Sequence, residues 1–151
     1  MSPGQREMAE IDRGQALRLL GSVPMGRIVF TRHAMPAIRP VNHVLDDGHI
    51  LIRSHASATV VSAADNARGV VVAYQADHID PVSQAGWSVV VTGTAHLVPD
   101  PGEVARYQQL LTSWLGGDMD QVIRIRPAMI TGVRFRSQEN GGAPGPLRPP
   151  A

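Results

Sequence analysis

Gly86-Trp87-Ser88-Val89-Val90-Val91-Thr92-Gly93-Thr94-Ala95-His96-Leu97-Val98 has the strongest β character of any run in the chain. Val89, Val91 and Ala95 alternate with Ser88, Val90, Thr92, Thr94 and His96, so the two faces differ only partly. A strand moderately apolar on both faces is covered on both sides, as in a barrel wall or a subunit interface. Gly93 interrupts the run and marks a bulge, a bend or a close approach to the backbone. Trp87 opens it with a large flat side chain, which plugs a core more often than it stacks on a ligand.

The flanking segments supply partners for this strand. Gly26 to Thr31 reads as a strand, Arg32 to Pro36 as a turn, and Ala37 to Leu45 as a second strand broken by Pro40. Proline cannot donate to a ladder, so it belongs at an edge or a bulge. Asp46-Asp47-Gly48 is a hairpin turn, and His49 to Ser54 is the third strand of a meander. Ala56 to Asn66 carries helical spacing, and Gly69 to Tyr74 is a short buried strand. Gln75 to Ala85 is polar and is expected to be a loop. Pro99 to Gly102 reads as a turn, and Glu103 to Leu115 as an amphipathic helix. Gln121 to Phe135 is strand-like, with an interruption at Pro127. Near the start, Asp12 precedes Gln15 at capping-box spacing, and a short helix ends at Gly21.

About six strands arrive in hairpin-linked groups with two or three short helices. The fold class is mainly β with a few helices, an antiparallel barrel or roll with helices packed outside it. Residues 1–10 are expected to be a frayed, flexible N-terminus, 11–136 the folded domain, and 137–151 a disordered Gly- and Pro-rich tail.

Composition narrows the function. The 151 residues make one domain, and the formal net charge of +1 argues against bulk binding to nucleic acid or an anionic membrane. No cysteine is present, which excludes disulfides, thiolate metal sites and a cysteine nucleophile, and fits a reducing compartment. With no apolar signal core and no run of transmembrane length, the expectation is a soluble cytoplasmic protein. The six histidines form neither an i, i+4 pair nor an H-x-H pair, so no metal site is expected. There is no G-x-S-x-G elbow, P-loop or G-x-G-x-x-G fingerprint.

Two stretches carry possible chemistry. Arg53-Ser54-His55-Ala56-Ser57-Ala58-Thr59 runs from a strand end into a helix start. It collects an arginine, three hydroxyls and free N-terminal N–H groups, which suits a phosphate. An N-capped helix with a solvated arginine is the plainer reading. At Arg39-Pro40-Val41-Asn42 an edge-like break exposes backbone groups that a flat heteroaromatic ring could bond. A simple bulge is the plainer reading there.

Taken in order, Gly26 to Phe30, Pro36 to Val44, Asp47 to Ser54, Val70 to Asp77 and Gly86 to Ala95 resemble the pyridoxamine 5'-phosphate oxidase-like, FMN-binding split-barrel family. The resemblance covers about residues 12–135, and its nearest branch includes the nitroimidazole-resistance proteins. It implies a six-stranded antiparallel split β-barrel, a homodimer, and two flavin sites at the subunit interface. It places Pro40, Val41 and Asn42 along the isoalloxazine edge, and Arg53, Ser54 and the turn through Thr59 at the phosphate. Trp87 and Ser88 would approach the site, from the same or the partner subunit. Relatives often carry Lys or Arg where this chain has Thr59, which removes one charge-assisted phosphate contact. Arg39 or Arg124 would complete the site, or the cofactor would be the deazaflavin F420. The implied activity is a flavin-dependent oxidoreductase passing hydride or electrons to a small electrophile such as a nitro compound or quinone. The alternatives are an F420-binding reductase, a dimer that binds or senses flavin without turnover, and a cofactor-free structural protein.

Overall fold

The computed structural model describes residues 6–54, 59–111 and 121–137. The chain opens with strand β1 (Arg6–Glu10), helix α1 (Arg13–Gly21), β2 (Met25–Arg32), β3 (Met35–Asp46) and β4 (His49–Ser54). There follow α2 (Thr59–Ala64), β5 (Val70–Ile79), β6 (Gly86–Leu97), α3 (Pro101–Leu110) and β7 (Gln121–Ser137). Every pairing is antiparallel. The order is β1-β7-β4-β3-β2-β5-β6, and β6 pairs again with β7. Six strands, β2 to β7, therefore close a ring, and β1 is added outside it along β7. Closure leaves few free edges, which is how antiparallel sheets avoid edge-to-edge association.

The central strand behaves as its alternation predicts. On β6, Trp87, Val89, Val91, Gly93 and Ala95 are buried inside the barrel, while Ser88, Val90, Thr92, Thr94 and His96 are half-buried outside it. The ladder to β7 shifts register between Thr92 and Gly93, so the glycine does mark a bulge. A Cβ on Gly93 would stand 2.1 Å from the Arg126 carbonyl oxygen. Trp87, 6 % exposed, belongs to the core with Ile28, Phe30, Ile50, Ile52, Tyr74 and Val91.

One of the two tight turns is legible in local chemistry. Asp47 and Gly48 connect β3 to β4 with φ of 51° and 76°, the left-handed pair of a type I′ turn. His33 and Ala34 connect β2 to β3 with φ of 51° and 62°, and alanine is not a natural choice for that conformation. Helix α1 begins where expected, with the Asp12 carboxylate accepting from Gln15 N–H at 2.8 Å. Asp100 caps α3 in the same way, with Pro101 in the first turn, so the turn expected over 99–102 opens the helix.

Three expectations need correction. Residues 1–10 are not frayed throughout, because Arg6–Glu10 pairs with β7 from Val133 to Ser137. The polar loop expected from Gln75 begins later: β5 continues to Ile79 because Gln75, Asp77 and Ile79 lie on its outer face. The helix expected over 103–115 spans Pro101–Leu110, and residues 112–115 lie outside the described residues. The tail after Ser137 and residues 55–58 also lie outside them.

The ring is incomplete on one side. Strand β3 pairs with β2 from Met35 to Asn42 but takes up β4 only from His43. Strand β7 pairs with β4 through Ile125 and with β1 from Val133, so Arg126 to Thr131 has β6 alone. Helix α1 sits across this split. Ile11 N–H donates to the Gly132 carbonyl at 3.0 Å on one side, and the Leu20 carbonyl meets His43 Nε2 at 2.8 Å on the other. A second small core lies outside the barrel, where Tyr107 and Leu111 cover Leu51, Val98 and Val122.

Candidate functional site

The split gives the Arg39-Pro40-Val41-Asn42 stretch its character. Pro40 does not break β3; it lies opposite Arg27, within one uninterrupted strand. From Met35 to Asn42 the edge of β3 facing away from β2 has no strand partner among the described residues. The last rung between β3 and β4 is His43 with Ile52, which makes Asn42 and Arg53 neighbours just past the end of that ladder. Two stretches singled out separately in the sequence therefore adjoin.

The outer face extends this site across five strands. Residues in register share a face. One row runs Pro40, Arg27, Gln75, Val90, Thr131; beside it Asn42 pairs with Met25, and Asp77 with Ser88, which pairs with Val133. An open groove of about 320 Å³ lies here, lined by Val23, Pro24, Met25, Gly26, Arg27, Pro40 and Asp77. Gln75 ties its polar groups together. Its Oε1 accepts from Arg27 Nη1 at 3.3 Å, and its Nε2 donates to Asp77 Oδ2 at 2.8 Å and Ser88 Oγ at 3.2 Å. Asn42 Nδ2 reaches the Pro24 carbonyl at 3.5 Å.

Other expected site residues are placed less directly. Val41 packs against the barrel core. Arg39 is exposed, donates to the neighbouring Ile38 carbonyl at 2.9 Å, and lies 6.0 Å from the Phe30 ring centroid. Arg53 Nη1 donates to the Leu111 carbonyl at 3.1 Å, which turns one end of the guanidinium toward the end of α3. Ser54 is buried at the end of β4. Thr59 opens α2, and residues 55–58 before it lie outside the described residues. Trp87 faces the barrel core, as the plainer reading of it had it. Its neighbour Ser88 faces the outer groove.

Arg124 is engaged elsewhere. It donates to Glu103 Oε2 and to Tyr107 Oη, each at 3.3 Å, and the tyrosine bond chiefly raises its pKa. Tyr107 in turn donates to Asp46 Oδ2 at 3.0 Å. These bonds fasten α3 to the β3–β4 hairpin. Arg124 also borders a second open groove of about 510 Å³, with His96, Arg126 and the chain after α2. Among the described residues no group of three or more His, Asp or Glu is placed to hold a metal ion.

The groove residues that sequence reasoning missed are Arg27, Gln75 and Asp77. Nothing in their spacing points to one another, because 48 positions separate Arg27 from Gln75. Cross-strand register is what unites them. The alternation around Tyr74 was their one local signal, since a period of two continues through Gln75 and Asp77.

The ring of six strands, open along one edge of β3, defines the class as a split barrel. The pyridoxamine 5'-phosphate oxidase family profile matches residues 12–134, and the chain belongs to that family. An uncharacterized protein of Mycobacterium tuberculosis, Rv0080, is 51% identical over 145 residues, covering 89% of this chain and 95% of its own. A Corynebacterium glutamicum structure, assigned by name to the pyridoxamine 5'-phosphate oxidases, is 32% identical with a TM-score of 0.73, over 86% of this chain and 99% of its own. The FAD binding protein of Mycobacterium smegmatis is also 32% identical, with a TM-score of 0.66, over 86% of this chain and 100% of its own.

Proposed function

We propose that this protein is a cytoplasmic, homodimeric flavin-dependent oxidoreductase of the split-barrel class, with FMN as cofactor. The observation that carries the reading is the unpaired β3 edge from Met35 to Asn42, bordered by the Pro40 groove, in a chain of this family. A flat heterocycle can lie along the groove wall beside Pro40, with the free β3 edge at its rim. The similarity to a protein named for FAD binding supports a flavin.

The donor set fits such a group. Pro40, Val41 and Asn42 offer the backbone edge. Arg53, adjoining Asn42, and Thr59 at the start of α2 are the groups this reading assigns to a phosphate. The bound flavin would supply hydride or electron transfer to a small electrophile such as a nitro compound or quinone. The protein would orient the ring and keep one face open to substrate, with no side chain acting as acid or base.

A dimer is supported by the outer face. Ile38, Val29, Ala73, Thr92 and Met129 form one register row across five strands. Ile38, Met129 and nearby Val71 are 57%, 61% and 70% exposed in the single chain. A second copy of this chain would cover that apolar belt. The belt adjoins the Pro40 row, so a dimer would bring the partner to the rim of the flavin groove.

A second reading, a dimer that binds or senses flavin without turnover, draws on one observation: Arg53 already donates to the Leu111 carbonyl. Absorption spectra after incubation with FMN, FAD or F420 and removal of excess test binding. Reduction of the retained cofactor by NAD(P)H, then oxidation by a panel of nitro compounds and quinones, tests turnover. Retention without turnover selects the second reading. Retained F420 keeps the site and moves the chemistry to deazaflavin hydride transfer. Retention of none refutes flavin binding.

A further inference from the structure

Arg27 and Asp77 line the same groove without pairing to each other, because Gln75 stands between them. The Gln75 amide is engaged at both ends: its oxygen by Arg27, its nitrogen by Asp77 and Ser88. That fixes which way the amide points. Gln75 therefore acts as a spacer, holding a cation and a carboxylate a fixed distance apart on adjacent strands.

Each flanking group keeps unused capacity. Arg27 has five N–H donors, and Gln75 takes one of them, from Nη1. Asp77 accepts through Oδ2, which leaves Oδ1 for a further donor. The groove between them is walled by Pro24, Met25, Gly26 and Pro40. It thus presents a strong donor and a strong acceptor side by side against an otherwise flat, largely apolar wall. A simple anion would meet Asp77, and a simple cation would meet Arg27. The ligand edge that satisfies both carries an acceptor and a donor next to each other, as the C=O, N–H, C=O sequence of an imide does.

We propose that Arg27 and Asp77 recognise the pyrimidinedione edge of the bound ring, Arg27 donating to a ring carbonyl and Asp77 accepting from the ring N3–H. Flavins and 8-hydroxy-5-deazaflavins share this edge, so the assignment holds for FMN and F420 alike. The inference rests on the flavin-binding reading and deepens it by naming the groups that choose the ring. A site with polar groups placed for a particular donor discriminates against an analogue lacking it, because the half-buried Asp77 carboxylate is then left facing a methyl group.

The test compares the affinity of the intact protein for FMN and for 3-methyl-FMN, read by flavin fluorescence during titration. If F420 is the cofactor retained, the deazaflavin chromophore and its N3-methyl form take their place. The expected result is at least tenfold weaker binding of the methylated ring. Asp77→Ala should weaken FMN binding at least tenfold and abolish that discrimination, with the circular dichroism spectrum unchanged. Arg27→Gln should weaken both ligands together. Equal affinity of the unmodified protein for the two rings overturns the inference while leaving flavin binding intact, and that comparison needs no variant to fold. Discrimination that persists in Asp77→Ala also overturns it. Uptake of no flavin and no F420 refutes the flavin reading itself, and this inference with it.

Discussion

Tyr74 and His43 meet edge-on inside the barrel, their ring centroids 5.1 Å apart and their planes at 82°. The Tyr74 hydroxyl is hydrogen-bonded to His43 Nδ1, and His43 Nε2 donates to the Leu20 carbonyl at 2.8 Å. Since Nε2 carries the hydrogen, Nδ1 accepts and the phenol donates. The imidazole thus links β5, β3 and the end of α1 across the split. Tyr74→Phe would leave a buried acceptor unpaired and should destabilise the protein by about 1–3 kcal/mol. Urea unfolding at pH 7.5 measures it, and an unchanged midpoint would show that the link carries no net stability.

The same histidine sets a pH dependence. Burial lowers its pKa below 6.5, and the bond to Leu20 only partly offsets this. The unfolded chain therefore binds the proton more readily than the folded one. This contribution to stability is complete above pH 6.5 and is lost as pH falls through the folded pKa. Unfolding midpoints between pH 8 and 5 should decline below about 6.5, and His43→Gln should flatten that part of the decline. Burial also raises the Tyr74 pKa, so its hydroxyl stays protonated throughout this range.

Gly93 cannot accept a side chain without moving β7. An added Cβ would lie 2.1 Å from the Arg126 carbonyl oxygen and 3.1 Å from Pro127 Cα. Gly93→Ala should cost about 3 kcal/mol, at the upper end of overpacking effects because backbone must shift. A thermal melt within 2 °C of the parent protein would contradict this, since about 1 kcal/mol already moves a domain of this size by more.

The turn between β2 and β3 invites the opposite change. Ala34 holds φ at 62°, a conformation that disfavours any residue with a Cβ, and nothing in its surroundings requires alanine. Ala34→Gly should raise stability by about 1 kcal/mol, despite the extra entropy of glycine in the unfolded chain. Differential scanning calorimetry would register a higher melting temperature.

Charge placed in the apolar belt should separate subunits. Met129 is 61% exposed and opposite Thr92 on the outer face. Met129→Arg should shift the mass measured by light scattering from dimer to monomer without loss of β-sheet signal. A parent protein that is monomeric with flavin bound would remove both the dimer and the interfacial site.

The sequence by itself determined much of the local architecture. The period of two in Trp87 to Ala95, the Asp47-Gly48 turn, the Asp12 cap and the Gly93 bulge all depend on short-range sterics or on one buried face, so they are written in neighbouring residues. The order of motifs also reached the family. Tertiary structure decided what depends on register. Pairing of Arg6–Glu10 with the end of β7 converts a polar N-terminus into a strand. The row through Pro40, Arg27 and Gln75 exists because β2 lies between β3 and β5. Cross-strand neighbours are chosen by closure of the whole ring, with its split and its helix α1, and no local segment holds that information. Local pleat then parts Trp87 and Ser88, adjacent in sequence: it sends the indole into the core and the hydroxyl to the outer face, where Gln75 of the neighbouring strand meets it.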